Sequence, residues 1–303
     1  MSVQEDRAAV RLLTRAREDF QAMRKRMDNR IGRKADGTLQ NIDKRYIRKQ
    51  DLGDFMAISD VARKQEKIVE KKLKEVLERF AIYNEWLVNV KGIGTVSSGH
   101  IVGEYDIEKA TTVSKMWQFT GLNPGMVRGK KRVKKDEYKK SMGAIVGEMH
   151  THYFVLTDSM VRGDKLSPGF ISPFNKGLRT ALLGVMADGF IKAQNSYALE
   201  YYYTQHIPEK YRKDEKAMEK KPALAGQYGR LDNSFQMTTD RKKGGTIVEL
   251  AWKDCSDGHR NQASKRYMLK MFLKDLYVVW RQIEGLPVRE PYAEEYLGKK
   301  HAA

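Results

Sequence analysis

"VKGIGTVSSGHIVGEY", residues 90–105, is the stretch on which the reading of this chain turns. Gly92-Ile93-Gly94 separates an apolar, helix-like approach, "EWLVNV", from a small-residue run that begins at Thr95. Glycines at 92 and 94 let a backbone turn tightly and come close to a neighbour without Cβ interference. If a helix starts at Thr95, its first-turn amides have no intrahelical acceptor and point at whatever lies before them. A phosphate oxygen suits that position, and the helix dipole favours it. Lys91 places a positive charge beside the turn, and Leu87, Val90, Ile93, Val96, Ile101 and Val102 are the apolar residues that a compact two-helix hairpin must bury. The plainer reading is a tight turn between two packed helices, and the turn residues alone do not decide between the two.

The charge balance does bear on the choice. The 303 residues carry 57 Lys plus Arg against 39 Asp plus Glu, a net charge of +18, which points to a polyanionic partner. A hydrophobic content of 41% and 10% aromatics indicate a folded chain with a real core. No apolar run is long enough for a membrane span, and "MSVQEDRAAVRLL" lacks the apolar centre of a signal peptide. A lone cysteine, Cys255, rules out an intramolecular disulfide and a cysteine-based zinc cluster. A cytoplasmic, reducing setting is the expectation.

The predicted class is mainly α: an N-terminal helical and coiled-coil segment, a helix-hairpin-helix domain with insertions, and a long C-terminal helix. Residues 1–60 form a basic helical segment in which Val10, Leu13, Ala16, Phe20, Met23, Met27 and Ile31 recur at steps of three and four, ending near Gly32. In 61–89, Val69, Leu73, Val76, Phe80, Tyr83 and Leu87 make a heptad seam that predicts pairing with another helix, the first being the nearest candidate. Residues 90–205 hold the hairpin, with an insertion at about 133–170. A helix capped by Asp106 or Thr112 and stopped by Gly121 should bury Val113, Met116, Trp117 and Phe119. From about Pro173, Leu178, Leu182, Met186 and Phe190 mark one face of a further helix. The pattern of 141–158 fits strand or helix, and 206–257 reads as a polar irregular insertion. A last helix and tail occupy 258–303, with Leu269, Phe272, Leu276, Trp280 and Ile283 on one side.

Beyond the hairpin residues Lys91, Gly92, Ile93, Gly94 and Thr95, the second candidate contact is the basic run 126–140, "MVRGKKRVKKDEYKK". There Lys130, Lys131, Arg132, Lys134 and Lys135 can neutralise phosphates, and binding through them should weaken with salt. Neither a GxxxxGK[ST] loop nor an HExxH helix is present. His150 and His152 with Glu148 have the spacing of metal ligands on a strand, although incidental surface histidines explain them more simply. Ser159, Ser167 and Ser172 lie in a Gly- and Pro-containing segment that can present a nucleophile, without an evident activating base. Cys255 has no histidine partner in sequence and reads as a buried small apolar residue.

The run "LVNVKGIGTVSSGHIVGEYDIEKATTVSKMWQFTGLNPG" resembles the C-terminal helix-hairpin-helix domain of transposases of insertion-sequence family one-ten, with one-sixteen and nine-oh-two. The family's "PGIG" hairpin has its counterpart in Lys91-Gly92-Ile93-Gly94, its "GDI"-like turn in Tyr105-Asp106-Ile107, and its "AYAGLxP"-like helix end in residues 117–124. "ISPFNKGLRTALL" is similar to the family's basic-Gly segment, which implies nucleic-acid contacts for Lys176 and Arg179. "ASKRYMLKMFLKDLYVVW" is similar to its closing helix and implies the same for Lys265 and Arg266. The likeness spans about 60–190 and 258–283, roughly half the chain, and is most specific at the hairpin. It stops short of the family's chemistry: residues 1–60 show no RNase H-like first strand with spaced carboxylates, and the position of the catalytic serine reads "GMVRGKKR".

The resemblance therefore implies a short relative of phage or mobile-element origin that binds DNA in recombination or transposition. A homo-oligomer built through the N-terminal helices is expected, with DNA the first partner, RNA the second, and no membrane. No cofactor is expected; a divalent metal would be needed only by a catalytically active form. Two other readings stay open: an active recombinase using a serine of 159–172, and a structural or RNA-binding interaction protein.

Overall fold

The computed structural model describes residues 2–34, 36–39, 51–123, 126–133, 145–149, 152–163, 166–206, 235–240 and 246–289. The described residues are mainly helical, as the periodicities predict. The chain divides into two compact units, Met1–Asn89 with Ile93–Tyr105, and Val90–Gly92 with Asp106–Ala303.

In the first unit, α1 (Val3–Ile31) opens with a capping box between Ser2 and Glu5 and stops at Gly32 in the left-handed conformation. It packs along α2 (Leu52–Leu77). Polar pairs link the two helices in opposite directions: Asp6 with Arg79, Arg17 with Glu70, Arg24 with Glu66, and Asp28 with Ser59 and Arg63. The helices are therefore antiparallel. Val10, Ala62, Leu73 and Leu77 are buried in this unit, and Glu66, only 6% exposed, lies among them because Arg17 and Arg24 both neutralise it, at 3.0 and 2.7 Å. Such a pair contributes little net stability when intact but is costly to break from one side.

The heptad helix ends earlier than its seam suggests. α2 finishes at Leu77, Phe80 adopts an extended backbone, and a five-residue helix α3 (Ala81–Glu85) and a 3-10 turn (Leu87–Asn89) follow. Phe80, Tyr83 and Leu87 are nonetheless buried, so the apolar pattern reports burial correctly while the backbone breaks beneath it. α4 (Thr95–Glu104) then lies against α1 and α2. Ser98, Gly99 and Gly103 are its buried small residues: a Cβ on Gly99 would overlap Thr14 Oγ1, and one on Gly103 would sit 2.9 Å from Arg11 Cγ. His100 Nε2 meets Glu18 Oε1 at 2.9 Å, and that hydrogen bond holds the Glu18 carboxyl below its ordinary range.

The second unit begins with α5 (Val113–Thr120), capped by the Thr112 hydroxyl and ended by left-handed Gly121. Val113, Met116 and Trp117 are buried as expected, but Phe119 is 40% exposed. Residues 126–133 of the basic run form a strand, β1 (Met126–Val133). It joins β2 (Ile145–Met149) and β3 (His152–Arg162) in an antiparallel sheet of order β1-β3-β2, so the described residues of 141–158, which fit strand or helix by pattern, are strand. A register shift between Arg128 and Lys130 marks a bulge.

Next come α6 (Lys176–Ala181), a π-helical turn (Leu182–Met186), α7 (Ala187–Ala193) and a second π-turn (Ala198–Tyr202). Leu178, Leu182, Met186 and Phe190 are all buried. Steps of four drift by about 40° each on a 3.6-residue helix, so a plain α-helix would rotate the last of them about 120° away from the first. The π-turn takes up one extra residue and returns all of them to one face. Within the stretch read as irregular, β4 (Phe235–Asp240) and β5 (Thr246–Ala251) form an antiparallel pair. The last helix, α8 (Asp257–Ile283), is the organising element of the unit. Trp117 Nε1 donates to Lys270 O, Tyr277 Oη to Thr111 O, and the buried Arg281 guanidinium to Ile107 O and Ala110 O. Phe190 meets Phe272 edge to face.

Glu66→Ala leaves Arg17 and Arg24 partly buried without their common counter-ion. It should lower the unfolding free energy by about 3–5 kcal/mol, read as a shifted urea midpoint.

Candidate nucleic-acid interface

The two glycines of the quoted stretch do different work. Gly92 has φ +94°, a conformation that residues with a Cβ rarely adopt. Its backbone also lies against α7: a Cβ on Gly92 would sit 2.9 Å from Gly189 O, and one on Gly189 would sit 2.6 Å from Gly92 O. Asn195 Nδ2 donates to Lys91 O at 2.9 Å, while Asn195 Oδ1 accepts from the Ala198 amide. In the second unit, then, Lys91 and Gly92 are seated by Gly189 and Asn195, and the Lys91 side chain is exposed. Gln194, at φ +49°, supplies the left-handed turn that carries the chain from α7 to Asn195.

In the first unit, Gly94 is exposed, has an extended backbone (φ −105°, ψ 176°), and faces open space where a Cβ would stand. It is the N-cap of α4 and has no side chain with which to cap it. Thr95, the first helical residue, and Ile93 are half-buried. The first-turn amides of α4 therefore have no side-chain cap behind an exposed Gly94.

The second unit also carries a basic row. Lys130, Lys131 and Arg132 are exposed on β1, opposite Leu156, Val155 and Phe154 of β3. Among the described residues none of these three side chains takes part in an ion pair. Lys130 and Arg132 share one face with Leu156 and Phe154, because side chains alternate along a strand. Lys134 and Lys135 lie outside the described residues, as does His150. No group of three metal-ligating side chains occurs among the described residues.

The contacts implied for the later basic residues separate into two kinds. Lys176 is exposed at the start of α6. Arg179 donates to Gly121 O and lies 5.0 Å from the Phe174 ring centroid, so its guanidinium braces the end of α5. Lys265 is buried and paired with Asp188 at 2.5 Å, which removes it from a role on the surface. Arg266 is half-buried one residue further on. Lys270 is covered by the Trp117 ring at 5.4 Å, and burial, aided by Arg266, pushes its pKa down.

The candidate nucleophiles have no activating partner within the described structure. Ser159 and Ser167 are exposed, and Ser172 donates to Phe174 O. None of the three hydroxyls is hydrogen-bonded to a histidine or carboxylate among the described residues. The Cys255 thiol is buried, and burial pushes its pKa up, away from thiolate chemistry. The Tyr197 hydroxyl donates to Asp275 at 2.8 Å, and burial, the largest cause, pushes the pKa of both groups up, which holds the phenol in its protonated form at neutral pH.

Sequence reasoning missed Gly189, Asn195 and Asp188. A glycine inside the apolar stretch "ADGFIKAQN" was the available signal for a close backbone approach, but its partner was about a hundred residues away and invisible in the pattern. No protein-family model matches the chain, and neither a curated protein nor a solved structure does. No described helix is long and apolar enough to cross a membrane.

Gly92→Ala and Gly189→Ala should each lower the thermal midpoint by several degrees, through strain at positive φ and through backbone overlap respectively. Gly94→Ala should leave it within about a degree, since space is open there. Differential scanning calorimetry of the three variants separates the seated glycine from the exposed one.

Proposed function

We infer that this chain binds DNA by gripping the phosphate backbone through a helix-hairpin-helix and a basic strand, as a transposase-like protein of mobile-element or phage origin acting in recombination. The observation that carries this reading is the exposed start of α4, where Gly94 faces open space and no side chain caps the helix. Backbone amides at such a start take phosphate oxygens without regard to base identity, so they position a duplex and do not read it.

The net charge of +18 supplies the long-range attraction, and Lys130, Lys131 and Arg132 supply a row of exposed cations in the second unit. Lys91 and Lys176 add exposed charges, whereas Lys265 and Arg179 serve as internal braces. The N-terminal helices of the first unit carry self-assembly in this reading. Strand cleavage is not part of it, because Ser159, Ser167 and Ser172 have no activating base among the described residues.

A mobility-shift titration of duplex DNA at rising salt tests the reading. The logarithm of the binding constant should fall linearly with the logarithm of salt concentration, by about 0.9 per phosphate neutralised. Replacing Lys130, Lys131 and Arg132 together by Gln should reduce that slope by about 2–3. Gly94→Val should weaken binding at every salt concentration while circular dichroism stays unchanged. Binding that is absent, or insensitive to salt, rejects the proposal.

A further inference from the structure

The first unit has a surface feature that phosphate binding does not use. On the outer side of α1, a groove of about 420 Å³ runs between Asp19 and Arg30. Ala22, Met23, Met27 and Ile58 of α2 form its apolar floor, with Asp19 towards one end and Arg26 and Arg30 towards the other. Met23 is 41% exposed and Ile58 48%, and with Ala22 and Met27 they line one contiguous apolar groove and are not scattered singly.

The charges around the groove differ from those between the helices. Arg17 and Arg24 are committed to Glu66 and Glu70 across the α1–α2 seam. Asp19 and Arg26 have no ion pair among the described residues. They cannot satisfy each other along the helix, because seven residues at 1.5 Å rise set them about 10 Å apart.

We propose that this face of α1 is the contact through which two copies of the chain associate about a two-fold axis. A two-fold contact needs a self-complementary surface, in which residue i meets j and j meets i. Two α1 helices crossing antiparallel, with the axis between Ala22 and Met23, set Asp19 of each copy opposite Arg26 of the other. Ala22 of one copy then covers Met23 of the other. The apolar floor is buried and both unpaired charges are satisfied twice. A polyanion does not fit this face, since Asp19 opposes it and the floor is apolar. The inference extends the assembly part of the functional reading, and its readout is mass, so either can fail alone.

The test is a charge swap on the full chain, followed by sedimentation equilibrium over a range of concentrations. Wild type should move towards twice the 35.0 kDa chain mass as concentration rises. Asp19→Arg and Arg26→Asp should each weaken association at least about tenfold through like-charge repulsion, with helix content unchanged. An equimolar mixture of the two variants should recover the dimer mass, because each now carries what the other lacks. A wild type that stays monomeric, variants that keep the wild-type association, or a mixture that fails to associate overturns the proposal.

Discussion

The close approach of Gly92 to Gly189 is the constraint on which the seating of Val90–Gly92 within the second unit depends. Two backbones can come this near only where both lack a Cβ, and only with Gly92 at positive φ. Asn195 locks the contact by holding Lys91 O with one side-chain group and starting the next helical turn with the other. The seat of Lys91 is thus decided by α7 and the residues just after it. Gly94 is left with a different task, since nothing crowds it and nothing caps the helix behind it.

The two units use charge in different ways. In the first, arginines and carboxylates interlock between α1 and α2, and Glu66 is buried only because two guanidinium groups share it. That network pairs α1 with α2 in one antiparallel register. In the second, Arg281 and Arg179 brace carbonyls at loop and helix ends, and Lys265 holds α7 to α8 through Asp188. A basic composition is therefore a poor guide to which cations meet a partner. Among the described residues of the second unit, Lys130, Lys131 and Arg132 are exposed on β1, whereas Arg281, Arg179 and Lys265 are structural.

Much of the fold was legible because periodicity reports burial. α1, α5 and α8 fall where their apolar residues put them, with Gly32, Thr112 and Gly121 acting as the end signals. Three features escaped. The heptad seam continued through Phe80 to Leu87, but the helix under it did not, since burial can be kept by a turn as well as by a coil. The basic run 126–133 has the composition of a loop, yet it pairs with β3, a long-range partner that local pattern cannot reveal. At the candidate site, the turn glycines and Lys91 were visible, whereas Asn195, Gly189 and the Asp188 partner of Lys265 are set by tertiary contacts.

The π-turn at Leu182–Met186 has a consequence that reaches beyond its own packing. It stores the rotational phase of everything after it: one surplus residue in this turn decides which way Gly189, seven residues downstream of Leu182, points. Were the helix to shed that residue, Phe190 and Gly189 would turn by about 100° together, and the smooth backbone seat of Gly92 would become a side chain. The spacing that looks like a defect in a helix is thus the timing element of a contact with a loop about ninety residues earlier in the chain. It ties the seat of Lys91 and Gly92 to a length, so that this helix can exchange residues more freely than it can gain or lose one.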